Sequence, residues 1–216
     1  FMQVTKKNMI ESQLMPEGIS CHNTINCISR VNREDFTPIE FASLSYAEHN
    51  IPLNNDYSML KPLIVAKILQ LLRVTRSDTV LEIGTGSGYL TSCLSLMGKS
   101  VDTLDIDPLM LEKAKIAHKN NNATNINYVH EDIFSNWSPK KKYDVIVVTG
   151  SIASRINKLE DALNVNGRMF AAIGEYPVMH ANLIERVSVN KILIEQVFET
   201  ILDPLKNINK KKHLNF

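Results

Sequence analysis

The sequence predicts an α/β protein: a doubly wound, mostly parallel sheet of seven strands, ending in a C-terminal antiparallel hairpin and preceded by an N-terminal helical elaboration. Three observations lead there. From residue 79 onward, short apolar runs alternate with stretches of helical periodicity, the order that builds βαβ units and so a parallel sheet. Gly84, Gly86 and Gly88 fall between the first of these runs and the helix that follows it. The last two apolar runs are parted only by Asn190 and Lys191, a spacing that suits a tight hairpin.

Taken in order, residues 4–14 carry helical apolar spacing, and Met15-Pro16-Glu17-Gly18 stops it. Residues 24–31 read as a second helix. The apolar stretch 62–72 reads as a buried helix with Pro62 in its first turn, where a missing N–H costs nothing. Strands are expected at 79–83, 101–105, 126–130, 143–148, 168–173, 183–189 and 192–202. Helices are expected at 89–97, ended by Gly98, at 108–120, and near 158–163. The chain therefore divides into an N-terminal helical part (1–73), a ligand-binding α/β core (74–205) and a basic tail (206–216).

Composition excludes several function classes. Hydrophobic residues make up 44% and charged residues 22% of the 216 positions, as in ordinary globular proteins. A net charge of +1 is no attractant for a polyanion, so no nucleic-acid partner is expected; the tail after Lys206 reads as a solvated terminus. No apolar run is long enough to span a bilayer, and none follows Lys6 and Lys7 as a secretory signal would require. Three widely spaced cysteines, Cys21, Cys27 and Cys93, point to a reducing, cytoplasmic setting. The six histidines show no ligand spacing, so no metal is expected.

The chemistry is concentrated around residues 82–88. Glycines there let the chain turn sharply and let a ligand approach the backbone, and open parallel sheets bind ligands at the carboxyl ends of their strands. The order is G-x-G-x-G, with Tyr89 where a dinucleotide fingerprint has its last glycine, which disfavours a nicotinamide oxidoreductase. Glu82, just before the turn, suits a cationic group such as an amino acid's ammonium. Asp105 ends the next strand, near the ~20-residue spacing expected for an acid that accepts the two ribose hydroxyls. Asp132 suits the adenine amino group and Ile133 the face of the ring, although a turn cap is the alternative for Asp132. Asp107 before Pro108 reads as a helix cap. An adenosine bearing an amino acid satisfies this set, which predicts S-adenosyl-L-methionine as cofactor and a methyltransferase activity. The expected cofactor residues are Glu82, Gly84, Thr85, Gly86, Ser87, Gly88, Asp105, Ile106, Asp132, Ile133 and Thr149.

Beyond the turn, the chain resembles the protein-L-isoaspartate O-methyltransferase family of Rossmann-like methyltransferases. The segment from Val80 to Tyr89 is similar to that family's first motif. Asn32-Arg33-Glu34-Asp35-Phe36-Thr37-Pro38, Tyr46-Ala47 and Ile51-Pro52-Leu53 resemble its N-terminal part. Tyr143 to Gly150 resembles the strand after the adenine site, and Asn166-Gly167-Arg168-Met169 the turn into the fifth strand. The resemblance implies carboxyl O-methylation of L-isoaspartyl residues in damaged proteins or peptides, as a start of repair. It also implies an acceptor segment at Tyr57, Ser58, Met59, Leu60 and Lys61.

That segment departs from the family pattern. The family's Gly-x-Gly-Gln-Thr-Ile-Ser-x-Pro is here Asn54-Asn55-Asp56-Tyr57-Ser58-Met59-Leu60-Lys61-Pro62, so Leu60 replaces the serine regarded as catalytic. Glu131-Asp132-Ile133 keeps only the aspartate of Gly-Asp-Gly, and Pro204-Leu205 only the end of Val-Pro-Leu. A carboxylate acceptor is already ionised at neutral pH and needs no general base, so no catalytic residue is assigned. Ser58 or Lys61 is a candidate contact to the acceptor. Two other readings stay open: the same fold acting on a different acceptor, and a non-catalytic protein that binds S-adenosylmethionine or S-adenosylhomocysteine. Nothing in the sequence sets an oligomeric state.

Overall fold

Helical periodicity at the front of the chain becomes α1 (Met2–Met9), which runs on into a wider turn at Ile10–Leu14, and α2 (His22–Arg30). These belong to a computed structural model that describes residues 2–135 and 137–206. Lys6 is buried on α1, and its ammonium donates to the Ser29 carbonyl and to Asn32 Oδ1. Two tight turns, Arg33–Phe36 and Ile39–Leu44, lead to β1 (Ile51–Pro52) and β2 (Ser58–Met59). These two-residue strands pair antiparallel and are too short to carry a readable alternation. The third helix, α3 (Pro62–Leu72), has the expected bounds, and Arg73 closes it at φ 47°. Gln70 ties it to the preceding loop by accepting from the Ser20 and Cys21 amides and donating to the Gly18 carbonyl.

The core alternates β3 (Thr79–Ile83), α4 (Tyr89–Met97), β4 (Ser100–Asp105), α5 (Pro108–Asn120), β5 (Ile126–His130), β6 (Tyr143–Ile152), α6 (Asn157–Asp161) and β7 (Leu163–Glu175). It closes with β8 (Val178–Ser188) and β9 (Lys191–Glu199). The seven strands lie in the order β5-β4-β3-β6-β7-β8-β9. The first five are mutually parallel, while β8 and β9 run antiparallel to their neighbours. The expected mixed sheet is present, but its antiparallel part is larger than one hairpin, because β7 also turns back directly into β8. Strands β6, β7 and β8 outrun their expected bounds. In β7 the extra residues include Asn164 and Asn166, the latter at φ 66°, and in β8 they are those that pair with the end of β7, Val178 to Asn182.

Both faces of the sheet are covered, so the parallel strands are apolar on both sides. Val80, Val145, Val147 and Phe170 face α1 to α4 in one core. Leu81, Ile146, Val148 and Met169 face α6 and the segment around Ile133 and Trp137 in the other. The N-terminal helices thus share a core with the sheet. Arg168 fastens the end of α3 to it, donating to the Leu72 and Arg73 carbonyls and pairing with Asp78 at 2.8 Å. Of the expected basic tail, only Lys206 is among the described residues; Lys210, Lys211 and Lys212 lie outside them.

Candidate cofactor and acceptor site

The glycine turn joins the carboxyl end of β3 to α4. Gly84 (φ 91°) and Gly88 (φ 85°) need glycine twice over, since the left-handed region is costly for other residues and neither site has room for a Cβ. At Gly84 a Cβ would collide with Thr149 Oγ1, which donates to the Ile83 and Gly84 carbonyls at 2.9 and 2.7 Å. At Gly88 it would lie 2.8 Å from Ala114 Cβ and from His118 Nε2. Gly88 therefore turns toward α5 and brings the helix close, while Gly84 and Gly86 line the cleft.

His118 completes that contact. It is fully buried; Nε2 meets the Gly88 carbonyl at 2.7 Å and Nδ1 meets Tyr128 Oη at 2.8 Å. A carbonyl can only accept, so Nε2 carries the proton and Nδ1 accepts from the tyrosine. Burial lowers the His118 pKa, and the bond to Gly88 opposes this only partly. A depressed folded pKa means the unfolded chain binds the proton more readily. The His118 contribution to stability is therefore present above about pH 6.5 and lost as pH falls through its folded value. Urea unfolding at pH 7.5 and 5.5 is expected to show this loss, and His118→Gln to reduce the difference between the two pH values.

Asp105, at the end of β4, anchors the turn from outside. Its Oδ2 accepts from the Gly86 amide at 3.0 Å and its Oδ1 from the Asp107 amide at 2.9 Å. Asp107 caps α5 through the Leu109 amide, the role read from the sequence. A carboxylate offers about four lone-pair directions, so Asp105 keeps acceptor capacity toward the cleft it lines. The cleft is walled by Gly84, Gly86, Asp105, Ile106, Asp132 and Ile133, with Thr149 and Tyr57 at its sides. Asp132 also accepts from the Phe134 amide at 2.8 Å, so the cap geometry and the position in the cleft coexist.

Glu82 lies beneath the turn, fully buried, between Thr103 and Val147 on neighbouring strands. Thr91 and Thr103 donate to its Oε2 at 2.5 and 2.7 Å, and Oε1 has no partner among the described residues. Burial pushes its pKa up to about 8 against the pull of the two threonine bonds, with Asp105 adding to the rise. Glu82, Thr85, Gly86 and Ser87 line a small second cavity beside the main cleft. The threonines Thr85 and Thr103 bond to each other at 2.6 Å behind it.

The segment expected to meet the acceptor, residues 57–61, sits where three spaces meet. Tyr57 and Ser58 line the main cleft, and Ser58, Met59, Leu60 and Lys61 line a third, open groove with Lys67 and Phe198. Ser58, Thr149 and Asp203 border both the cleft and the groove. The segment is held from behind by the chain's end: Asp203 Oδ2 accepts from the Ser58 amide at 2.9 Å, and residues 203–205 bond to Ser151 in β6. Lys206 pairs with Asp56 at 3.1 Å and lies 4.8 Å from the centre of the Tyr57 ring. Arg33 and Leu53, which also line the small cavity, carried no site signal beyond their place in N-terminal motifs. Among the described residues no group of three metal-ligating side chains occurs.

A family model described as protein-L-isoaspartate(D-aspartate) O-methyltransferase matches residues 4–210. The chain belongs to this family. A protein-L-isoaspartate O-methyltransferase from Gloeobacter violaceus is 27% identical over 205 residues, covering 95% of this chain and all of the relative. One from Vibrio vulnificus is 34% identical over 161 residues, covering 74% and 77%. Among solved structures, a Plasmodium falciparum protein of this type in complex with S-adenosyl-L-homocysteine superposes with a TM-score of 0.80 at 19% identity, covering 95% of this chain and 98% of that one. A second protein-L-isoaspartate O-methyltransferase superposes at 0.77 over 92% of this chain and 65% of that one. At such identities the structures show a shared fold. The family match spans both the N-terminal helices and the sheet, so the altered segment at residues 54–62 is a local departure within the matched region.

Proposed function

We propose that this chain is an S-adenosylmethionine-dependent O-methyltransferase that esterifies the free carboxyl of L-isoaspartyl residues in proteins and peptides. The observation that carries this is the convergence of bare Gly84 and Gly86, the Asp105 carboxylate and the Asp132-Ile133 pair on one cleft. The cleft shares Ser58, Thr149 and Asp203 with the groove at Leu60 and Lys61. Its residues fit the cofactor: glycines that admit a ligand to the backbone, a fixed carboxylate for a diol, and a buried acid beside the turn. S-adenosylmethionine, when bound there, supplies a methyl group on a sulfonium, which a carboxylate oxygen accepts without a base.

The chain's own residues position and shield. Asp105 holds the turn and accepts the ribose hydroxyls, Ile133 flanks the adenine, and Asp203 fixes the Ser58 backbone between cleft and groove. Leu60 offers no hydroxyl. The acceptor carboxylate is instead met by the Lys61 charge and oriented by the walls of the groove, an effect of placement and water exclusion. We extend the reading to repair of aged proteins in the cytoplasm, where the free thiols of Cys21, Cys27 and Cys93 stay reduced.

The test is labelled methyl transfer to an isoaspartyl peptide, with the normal aspartyl peptide as control and cofactor binding measured in the same sample. Base-labile ester on the isoaspartyl peptide alone is expected. Leu60 in the serine position favours a different acceptor as the second reading. Binding without transfer to either peptide would reject the isoaspartyl assignment and favour that reading or a non-catalytic role.

A further inference from the structure

Arg33 is the largest side chain that is fully buried, with 1% of its surface exposed. A guanidinium does not lose its proton under ordinary conditions, so its burial costs several kcal/mol unless partners compensate. The partners present are few. One N–H of Nη2 reaches the Leu60 carbonyl at 2.7 Å, and the guanidinium carbon lies 5.0 Å from the centre of the Tyr89 ring. No ion pair among the described residues includes Arg33, and its Nε–H has no acceptor among them.

The small cavity that Arg33 lines has a second orphan of opposite character. Glu82 Oε1 is fully buried and unpartnered. A cation with an unpartnered Nε–H and an acid with an unpartnered oxygen thus border one small cavity. It shares Leu53, Ser58, Gly84, Gly86 and Thr149 with the main cleft. Buried polar atoms in folded proteins are nearly always bonded; two exceptions in one cavity indicate a ligand that bonds both. A ligand that meets both carries an anionic group and a cationic donor, and the shared walls let it reach in from the main cleft.

We propose that Arg33 is the carboxylate receptor for the cofactor's amino-acid head, opposite Glu82, which takes the ammonium. The inference rests on the methyltransferase reading above. The guanidinium that binds the head also holds the backbone carbonyl of Leu60, so one side chain aligns the cofactor with the segment proposed to meet the acceptor.

The test compares three ligands by calorimetry, with no turnover required. S-adenosylmethionine and its decarboxylated analogue differ only in the carboxylate, and 5′-methylthioadenosine lacks the amino-acid head. The wild-type chain is expected to prefer S-adenosylmethionine over the decarboxylated analogue by roughly 10- to 100-fold, the range for a bond to a charged group. Arg33→Met should bring that ratio close to one while leaving 5′-methylthioadenosine affinity unchanged, and Arg33→Lys should keep part of the preference. A wild-type ratio near one would overturn the proposal, and this needs no variant to fold. So would an Arg33→Met protein that loses affinity for all three ligands in parallel, the mark of a structural role. Failure of all three to bind the wild-type chain would instead reject the methyltransferase reading itself.

Discussion

Replacing Asp105 with alanine is expected to weaken S-adenosylhomocysteine binding by about 100-fold or more, measured by calorimetry at pH 7. A ribose diol offers two hydroxyl donors, and each bond to an ionised carboxylate contributes about 1.5–3 kcal/mol. Asp105 also accepts from the Gly86 and Asp107 amides, so its removal frees the glycine turn as well as the ribose contact. The second effect is separable, because 5′-deoxyadenosine analogues lacking the ribose hydroxyls should lose much less affinity on the same substitution. A uniform loss over both ligand types would assign Asp105 to the turn alone. Unchanged affinity would remove it from the site.

Glu82 is expected to impose the other large effect, on pH dependence. Its unfolded pKa is about 4.3, and in the folded chain burial holds it at about 8. A raised folded pKa means the native state keeps the proton while the unfolded state gives it up. The Glu82 contribution to stability is therefore complete below about pH 4.3 and declines as pH rises to about 8. Across that window the wild-type chain should lose on the order of a few kcal/mol relative to Glu82→Gln, which cannot ionise yet still accepts from Thr91 and Thr103. Urea unfolding of both proteins from pH 5 to 9 measures the difference, and two parallel curves would contradict the assignment. The same linkage reaches binding. An ammonium placed at Oε1 favours the carboxylate form, so cofactor binding near pH 7 should release a proton, detected as a dependence of binding enthalpy on buffer ionisation. Glu82→Gln should abolish that release. Asp105 contributes to the raised pKa of Glu82, so Asp105→Ala should shift the wild-type window downward.

These two carboxylates differ in how far the sequence revealed them. Asp105 was legible because its position is set by chain distance: strand, glycine turn, helix and next strand have nearly constant lengths, so an acid about 20 residues after the turn lies beside it. Asp107 and Pro62 were legible for a similar reason, since helix caps and first turns are local chemistry. Glu82 was located but not understood. Its bonds to Thr91 and Thr103 join a strand, the following helix and a neighbouring strand, and its orphaned oxygen depends on what else fills that space. Strand ends in β6 to β8 were missed because pairing with neighbouring strands, with register shifts in β6 and β7, extends them beyond the apolar runs.

The alternation of apolar runs, the glycines before Tyr89 and the acids after two strands were enough for a parallel sheet, a cofactor class and a family, because each follows from periodicity or from short fixed spacings along the chain. Three features depended on folding. The segment after β9 crosses back so that Asp203 accepts from the Ser58 amide across 145 positions. His118 meets the Gly88 carbonyl through the packing of α5. Arg33 comes to border the same cavity as Glu82. These contacts join segments remote in sequence, and no local pattern encodes them. They arise where the N-terminal helices, the glycine turn and the chain's end are forced together as the sheet buries its two faces.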